Sequence, residues 1–383
     1  MNLDLDKKVY DLLREHPDLQ DFLISIGFEN FKNLSAIESI TKIMTLRKIL
    51  QSRSIDGENF QERFASFAAS GESQPAVSLD DANLVVRGAL PCPVKDTMIE
   101  AYHQHIDEAE LKVYSDFKSA NLGYDFVGKE NFTIADLPDV FISPGFKFPF
   151  LEPTIKPLFN SENYLVNDMP YNSAFDSFRD PKGIFHIAGA VPCVFLINKT
   201  GHDFGEYPRS WADIVDPDFD IELTLPMGDL DIVNAVLLTV HSAFGEKGVE
   251  VLLSKCTRNM HPSEMVKTML QNKVKTSVNI IPYFFGTMAE RNGNVKVVWP
   301  QDGAILSPIL MAFKKDKQAQ LSPLINYFNS PGFAKSMYAD GKFPSSLAGI
   351  DNGLPGDFKW VGWDYLYSDK SAVLLEKYED LLK

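Results

Sequence analysis

Residues 188–229 read AGAVPCVFLINKTGHDFGEYPRSWADIVDPDFDIELTLPMGD. The run Val191–Ile197 is apolar and closed by Asn198 and Lys199, which predicts a buried strand. Pro208 to Asp213 reads as a helix start: Ser210 is placed to cap it, and Asp213, three residues on, completes a capping box. Asp216-Pro217 ends that helix, and Ile221–Leu225 predicts a second, short strand. Met227-Gly228-Asp229 then opens another helix, with Asp229 as its cap. Strand, loop, short helix, strand and helix in that order is an α/β pattern.

Working outward, 383 residues predict two or three domains. A hydrophobic content of 45%, with 12% aromatic residues, predicts packed cores and excludes a disordered chain. The net charge of −15 excludes nucleic acid as a main partner, because backbone binding needs basic patches. No run reaches the roughly 18 apolar residues of a membrane helix. Three cysteines, Cys92, Cys193 and Cys256, do not make a disulfide framework and fit a reducing compartment. The N-terminal stretch carries Asp4, Asp6, Lys7, Lys8, Asp11, Arg14 and Glu15 without an apolar core, so no signal peptide is read there. The expectation is a cytoplasmic location as the chain stands, or an extracytoplasmic one if this N-terminus is not native.

Residues 1–68 predict a small helical domain. Val9, Leu12 and Leu13, then Phe22, Leu23 and Ile26, follow helical spacing, and Thr45–Ile49 adds a further helix. His16 reads as a helix-end residue rather than a ligand. Phe60, Phe64 and Phe67 share one helical face, a satellite helix or a bridge, and residues 69–80 have linker composition. From Asn83, strands Leu84–Gly88, Leu111–Ser115 and Asp139–Ser143 alternate with helices, predicting a parallel sheet. A second set follows: Val191–Ile197, Glu222–Leu225, Thr276–Ile281 and Val295–Trp299, with helices over Asp231–Phe244 and Ser263–Asn272. The chain returns through Ile305–Phe313 and ends in helices around 321–328, 332–338 and 372–382. The organisation is therefore lobe one over 81–185 and 305–383, and lobe two over 186–304, with hinge crossings between them.

The PRSWADIVDP phrase resembles the P-x-S-W-x-D-L-x-D-P segment of ABC-transporter solute-binding proteins. Further phrases in matching order are VNIIPYFFGTMAERNG (278–293), VKVVWPQDGA (295–304) and PGFAKSMYADGKFPSS (331–346). Their order is similar to the ferric-iron branch of type 2 periplasmic-binding proteins. The resemblance covers about residues 84–346 and implies a two-lobed α/β fold that closes over a small solute, with an ABC permease as partner. At the N-terminus, V-x-x-L-L-x-x-H-P-x-L-x-x-F-L-x-x-x-G-F resembles a small helical domain of unknown function, found alone and fused to redox and iron–sulfur-repair proteins. An unknown cytosolic protein bound through this module is the other partner expected.

In open parallel sheets, ligands bind beyond the carboxyl ends of the strands. Four loops qualify, Leu90–Lys95, Ser143–Phe148, Pro226–Asp231 and Tyr283–Gly286, with crossings at Ala190–Cys193 and Gln301–Ser307. The candidate ligand contacts are Pro91, Cys92 and Lys95; Ser143, Gly145 and Phe146; Pro192 and Cys193; Met227, Gly228 and Asp229; Tyr283; and Asp302. Helix N-termini after these loops offer free N–H groups to anions. Lys95, Lys147, Lys182 and His186 are the cations nearby. Cys92 and Cys193 each adjoin proline. They read either as two small buried residues or as two thiols facing one cleft, able to hold a soft metal. In the iron-binding branch the place of Tyr283 resembles a tandem tyrosine pair. Here Phe284 holds the second position, and a phenyl ring has no lone pair for Fe(III). The solute stays an anion, a metal or a small organic molecule, and no cofactor is expected. Two other functions use the same fold: a cytosolic sensor or carrier, and a thiol-dependent enzyme with Cys92 as nucleophile.

Overall fold

The computed structural model describes the chain except at residues 1–2, 26–27, 29–30, 32–33, 52–54, 56, 58–59, 62–63, 66–76, 120–131, 167, 199–206, 227–229, 271–277, 292–294, 339–342 and 380–383. Two compact units divide it, residues 1–76 and the body from 77 onward. In the first, helices α1 (Val9–Glu15), α2 (Asp18–Ser25), α3 (Leu34–Ile43) and α4 (Leu46–Gln51) enclose Val9, Leu12, Leu19, Phe22, Leu23 and Leu46. Phe60 and Phe64 join this core rather than forming a separate satellite; the Phe60 ring lies 5.1 Å from that of Phe22. His16 closes α1, its N–H donating to the Leu12 carbonyl (2.8 Å). Ile26 and Phe67, expected on these apolar faces, lie outside the described residues, as does most of the 69–80 linker.

The body is built on one sheet. In chain order its elements are β1 (Leu84–Leu90), α5 (Cys92–Glu108), β2 (Val113–Ser119), β3 (Val140–Pro144), β4 (His186–Asn198), α6 (Trp211–Val215), β5 (Leu223–Leu225), α7 (Leu230–Ser254), β6 (Cys256–Asn259), α8 (Pro262–Leu270), β7 (Val278–Pro282) and α9 (Tyr283–Glu290). There follow β8 (Val295–Val298), β9 (Ala304–Phe313), α10 (Gln318–Phe328), α11 (Pro331–Tyr338), β10 (Phe358–Lys359), α12 (Trp363–Tyr367) and α13 (Lys370–Glu379). Strand order is β2-β1-β3-β9-β4-β7-β5-β6, with β8 added to β4 and β10 to β9.

The sheet is mixed rather than parallel throughout. The βαβ pairs β1–β2, β1–β3, β5–β6 and β5–β7 are parallel, whereas β9 runs antiparallel to β3 and β4, and β4 antiparallel to β7 and β8. Strand β4 is longer than the predicted 191–197. Its first part, from His186, pairs with β9, and its second part, to Asn198, pairs with β7 and β8. Every residue of β4 and β9 is buried, which is why both read as nearly continuous apolar runs, interrupted only by His186, Asn198 and Ser307. Lobe one is the half carried by β1–β3, and lobe two the half carried by β5–β8.

The segment that decides the fold behaves locally as its sequence predicts. The Ser210 hydroxyl accepts from the Asp213 N–H (3.2 Å), and the Asp213 carboxylate accepts from the Ser210 N–H (2.9 Å). Trp211 is fully buried, edge-on to Phe195 of β4 at 4.8 Å, and its indole donates to the Gly303 carbonyl (3.1 Å). Helix α7 continues past Phe244, where the sequence predicts an end, to Ser254. Gly245 (φ 71°) breaks its geometry there.

Two buried polar groups tie the sheet together and generate predictions. Asp139 is 2% exposed; its carboxylate accepts from the Val85 N–H (2.8 Å) and the Lys317 ammonium (2.9 Å), with Lys314 at 3.7 Å. Asp139→Ala leaves the buried Lys314 without this carboxylate and Lys317 with only the Asn83 carbonyl, and chemical denaturation is expected to show a loss of about 3 kcal/mol. His186, at the start of β4, is 5% exposed and packs on Tyr171 (4.8 Å). Burial, with a smaller push from Arg179, lowers its pKa from 6.5 to about 3, so it is neutral in the fold. Between those values the unfolded chain binds a proton that the native state rejects. The contribution is complete above pH 6.5 and falls as the pH drops, by about 1.4 kcal/mol per pH unit. Urea midpoints measured across that range should fall less steeply for His186→Gln than for wild type.

Candidate functional site

The site is assembled where strands of both lobes end against the β4–β9 crossing. After β1, Pro91 (ψ 127°) caps α5 and its carbonyl accepts from the Val94 and Lys95 N–H groups (both 3.0 Å). Cys92 is the first residue of that helix, and its side chain lies outside the described residues. Lys95, one turn on, is a buried cation.

At the end of β3, the Ser143 hydroxyl is buried and donates to the Pro144 carbonyl (3.0 Å). Gly145 adopts a left-handed φ of 79°, and its N–H donates to Pro308 of β9 (2.7 Å). A Cβ at Gly145 would fall 2.4 Å from the Cβ of Asp231 and 2.6 Å from its carboxylate oxygen. The lobe-one loop therefore lies directly against the first turn of α7 in lobe two. Only glycine suits this position, for its backbone angle and for the space. Phe146 is fully buried, with its ring 5.7 Å from Trp360 and 6.5 Å from Phe150.

Pro192 and Cys193 lie within β4. Cys193 is the point where the strand changes partners, opposite Ile305 of β9 on one side and Pro282 of β7 on the other. Its thiol is buried, 3.9 Å from the Val191 carbonyl. Met227, Gly228 and Asp229 lie outside the described residues. Asp231, two residues beyond the predicted cap, is the acidic residue that meets the opposite loop. Its position in the first turn of a helix was the available signal.

Tyr283 opens α9, with its ring edge-on to Trp299 at 5.2 Å. Burial and the nearby Glu290 carboxylate raise its pKa, so the phenolate is costly to form. Phe284 lies 6.2 Å from Phe343. Asp302 is occupied: it accepts from the Trp211 N–H (2.9 Å) and from the Lys359 ammonium (3.1 Å). Among the four nearby cations, Lys147 is exposed, Lys182 sits over the Tyr367 ring (3.6 Å) and His186 is neutral. Among the described residues no group of three or more His, Cys, Asp and Glu side chains is placed to hold a metal ion, and no helix is long and apolar enough to cross a membrane. Cys256, the third cysteine, begins strand β6 and is partly buried.

The structure thus brings Gly145 to Asp231, Phe146 to Trp360 and Cys193 to Pro282. The segment 357–363 was not among the sequence candidates, because nothing in its pattern distinguishes it from a loop.

The fold has many solved counterparts. Apo ferric ion-binding protein A from Pasteurella haemolytica superimposes with a TM-score of 0.59 at 14% identity, over 78% of this chain and 98% of the other. The ferric binding protein from Campylobacter jejuni gives 0.58 at 10% identity, over 78% and 99%. The periplasmic binding protein AfuA from Actinobacillus pleuropneumoniae, solved with fructose-6-phosphate bound, gives 0.52 at 16%, over 79% and 98%. These likenesses establish the two-lobed type 2 periplasmic-binding-protein fold, and their ligands span a metal and a sugar phosphate. No curated protein matches the chain in sequence. Residues 3–60 match a domain of unknown function. Residues 135–369, well over half the chain, match the bacterial extracellular solute-binding proteins, and the chain belongs to that family.

Proposed function

We propose that the body captures a small organic solute between lobes one and two and delivers it to an ABC permease. The observation that carries this reading is the approach of Gly145 to Asp231. The loop after a lobe-one strand meets the first turn of a lobe-two helix, so a ligand beside this contact touches both lobes and favours the closed arrangement. The β4–β9 ladder joins the lobes, and bending it changes their separation without breaking the sheet. Backbone N–H groups at the starts of α5, α7 and α9 supply donors for carboxylate, phosphate or hydroxyl groups of the solute.

Tyrosinate-bound ferric iron is disfavoured. Phe284 supplies no oxygen for a hard cation, and Tyr283 is packed on Trp299 as a neutral phenol.

Thermal unfolding against sugar phosphates, amino acids, oxyanions, polyamines and thiamine-type compounds tests capture. A cognate solute at about 100 times its Kd stabilises by about 2.7 kcal/mol. Silence across that panel, with substrate turnover abolished by Cys92→Ser, would replace capture with catalysis. Gly145→Ala should weaken the cognate solute about tenfold or more, since about 1.4 kcal/mol of lost closure suffices. Titration with ferric citrate should give no tyrosinate-to-iron charge-transfer band. A band that disappears in Tyr283→Phe returns iron as the cargo.

A further inference from the structure

The segment from Asp357 to Tyr367 touches both lobes, and it is held by them unequally. On lobe one the attachment is dense. Trp363 is 7% exposed, its indole donates to the Phe178 carbonyl (2.9 Å), and its ring stacks on Phe185 (6.4 Å, 9° between planes). Tyr367 meets Phe150 edge-on (5.6 Å) and donates to the Asp180 carboxylate (2.8 Å), which also accepts from the Ile184 and Phe185 N–H groups. Leu366 is fully buried. The Lys156 ammonium donates to the Ser368 carbonyl (2.6 Å). Trp360 extends this anchor to the Phe146 ring of the candidate site.

On lobe two the same stretch is held by one ring, Phe358, which lies 5.8 Å from Trp299, by Lys359 over the Phe244 ring, and otherwise by single polar contacts. Ser242 of α7 donates to the Val361 carbonyl (2.8 Å), and His241 of α7 shares a hydrogen bond with the Tyr365 hydroxyl (2.7 Å). Lys359 pairs with Asp302 (3.1 Å), and both are partly exposed. The Trp299 indole donates to the Asp357 carbonyl (2.9 Å), beside the two-residue pairing of β10 with β9. Beyond α12, α13 buries Leu374 and Tyr378 and reaches α7 through the exposed Lys377–Glu246 ion pair, but the contact is not continuous. A pocket of about 370 Å³, open to solvent, lies between Tyr378 of α13 and Leu225, Glu250, Leu253 and Cys256 of lobe two. The buried Tyr378 hydroxyl has no hydrogen-bond partner there. Contacts of this kind contribute about 0.5–1.5 kcal/mol apiece, and a partly exposed ion pair less than about 1 kcal/mol, whereas buried aromatic anchors contribute several.

We propose that residues 357–367 are a built-in latch, fixed to lobe one and detachably fastened to α7, which biases the hinge toward closure. The latch's purpose, regulating exchange of solute, rests on the capture reading above. Its existence is read out with no solute present. The triple variant Ser242→Ala, Lys359→Met and Tyr365→Phe removes three fastenings on the lobe-two side and keeps the lobe-one anchor. The lysine stem over Phe244 is retained in the methionine. Small-angle scattering of the full chain without solute should give a larger radius of gyration than wild type, with a single cooperative unfolding transition retained. Equal radii overturn the latch, whatever becomes of solute capture. If the triple variant loses cooperative unfolding, the single Tyr365→Phe and Lys359→Met proteins decide by the same measurement. An expanded radius in both supports the latch, and a wild-type radius in either overturns it.

Discussion

The antiparallel pairing of β4 with β9 is the constraint on which the body depends. Each strand is buried along its whole length, and each is shared between the lobes. A slip of one residue would send every inward side chain to the opposite face, so the register is strongly specified. The one irregularity, between Ile187 and Gly189, falls where the segment Phe343–Ser346 docks on the free edge of β4. There the Ala190 N–H donates to the Pro344 carbonyl (3.0 Å) and the Ser346 N–H to Ala188 (3.0 Å). A Cβ on Gly189 would lie 2.6 Å from the Pro344 oxygen, so this docking also requires glycine. The exposed edge of a central strand is thereby covered.

Around this pair, carboxylates act as internal fasteners. Asp139 joins the start of β1 to the end of β9 through Val85, Lys317 and Lys314. Asp180 gathers three backbone N–H groups and the Tyr367 hydroxyl. Asp302 couples α6 to Lys359. A chain with net charge −15 therefore spends several of its acids on architecture rather than on ligands. Each satisfies donors that would otherwise be buried without partners, the costlier alternative.

Much of the fold is legible in residues 188–229. The Ser210–Asp213 box is a local interaction of three-residue range, and it forms as spacing predicts. The apolar runs of β4 and β9 announce buried strands for a reason of composition alone. The direction of those strands was not legible, because a buried parallel and a buried antiparallel strand carry the same apolar pattern. The site divides in the same way. Gly145 was legible as a turn glycine, but its partner Asp231 was not, since 86 residues separate them in the sequence and no local rule links them. Asp302 looked available from its position in a crossing, and two long-range donors occupy it.

By itself the sequence determined the order of elements, the caps and turns, the apolar strands and the absence of a second tyrosine beside Tyr283. These follow from contacts within a few residues, where backbone geometry and side-chain chemistry act directly. Only the tertiary structure decided that Cys193 is buried at the point where β4 changes partners, that Tyr283 is packed as a neutral phenol, and that residues 357–367 bridge the lobes. Burial, desolvation and bridging depend on groups brought together from distant positions. The strand ladder that brings them together is specified by the whole chain and by no single motif.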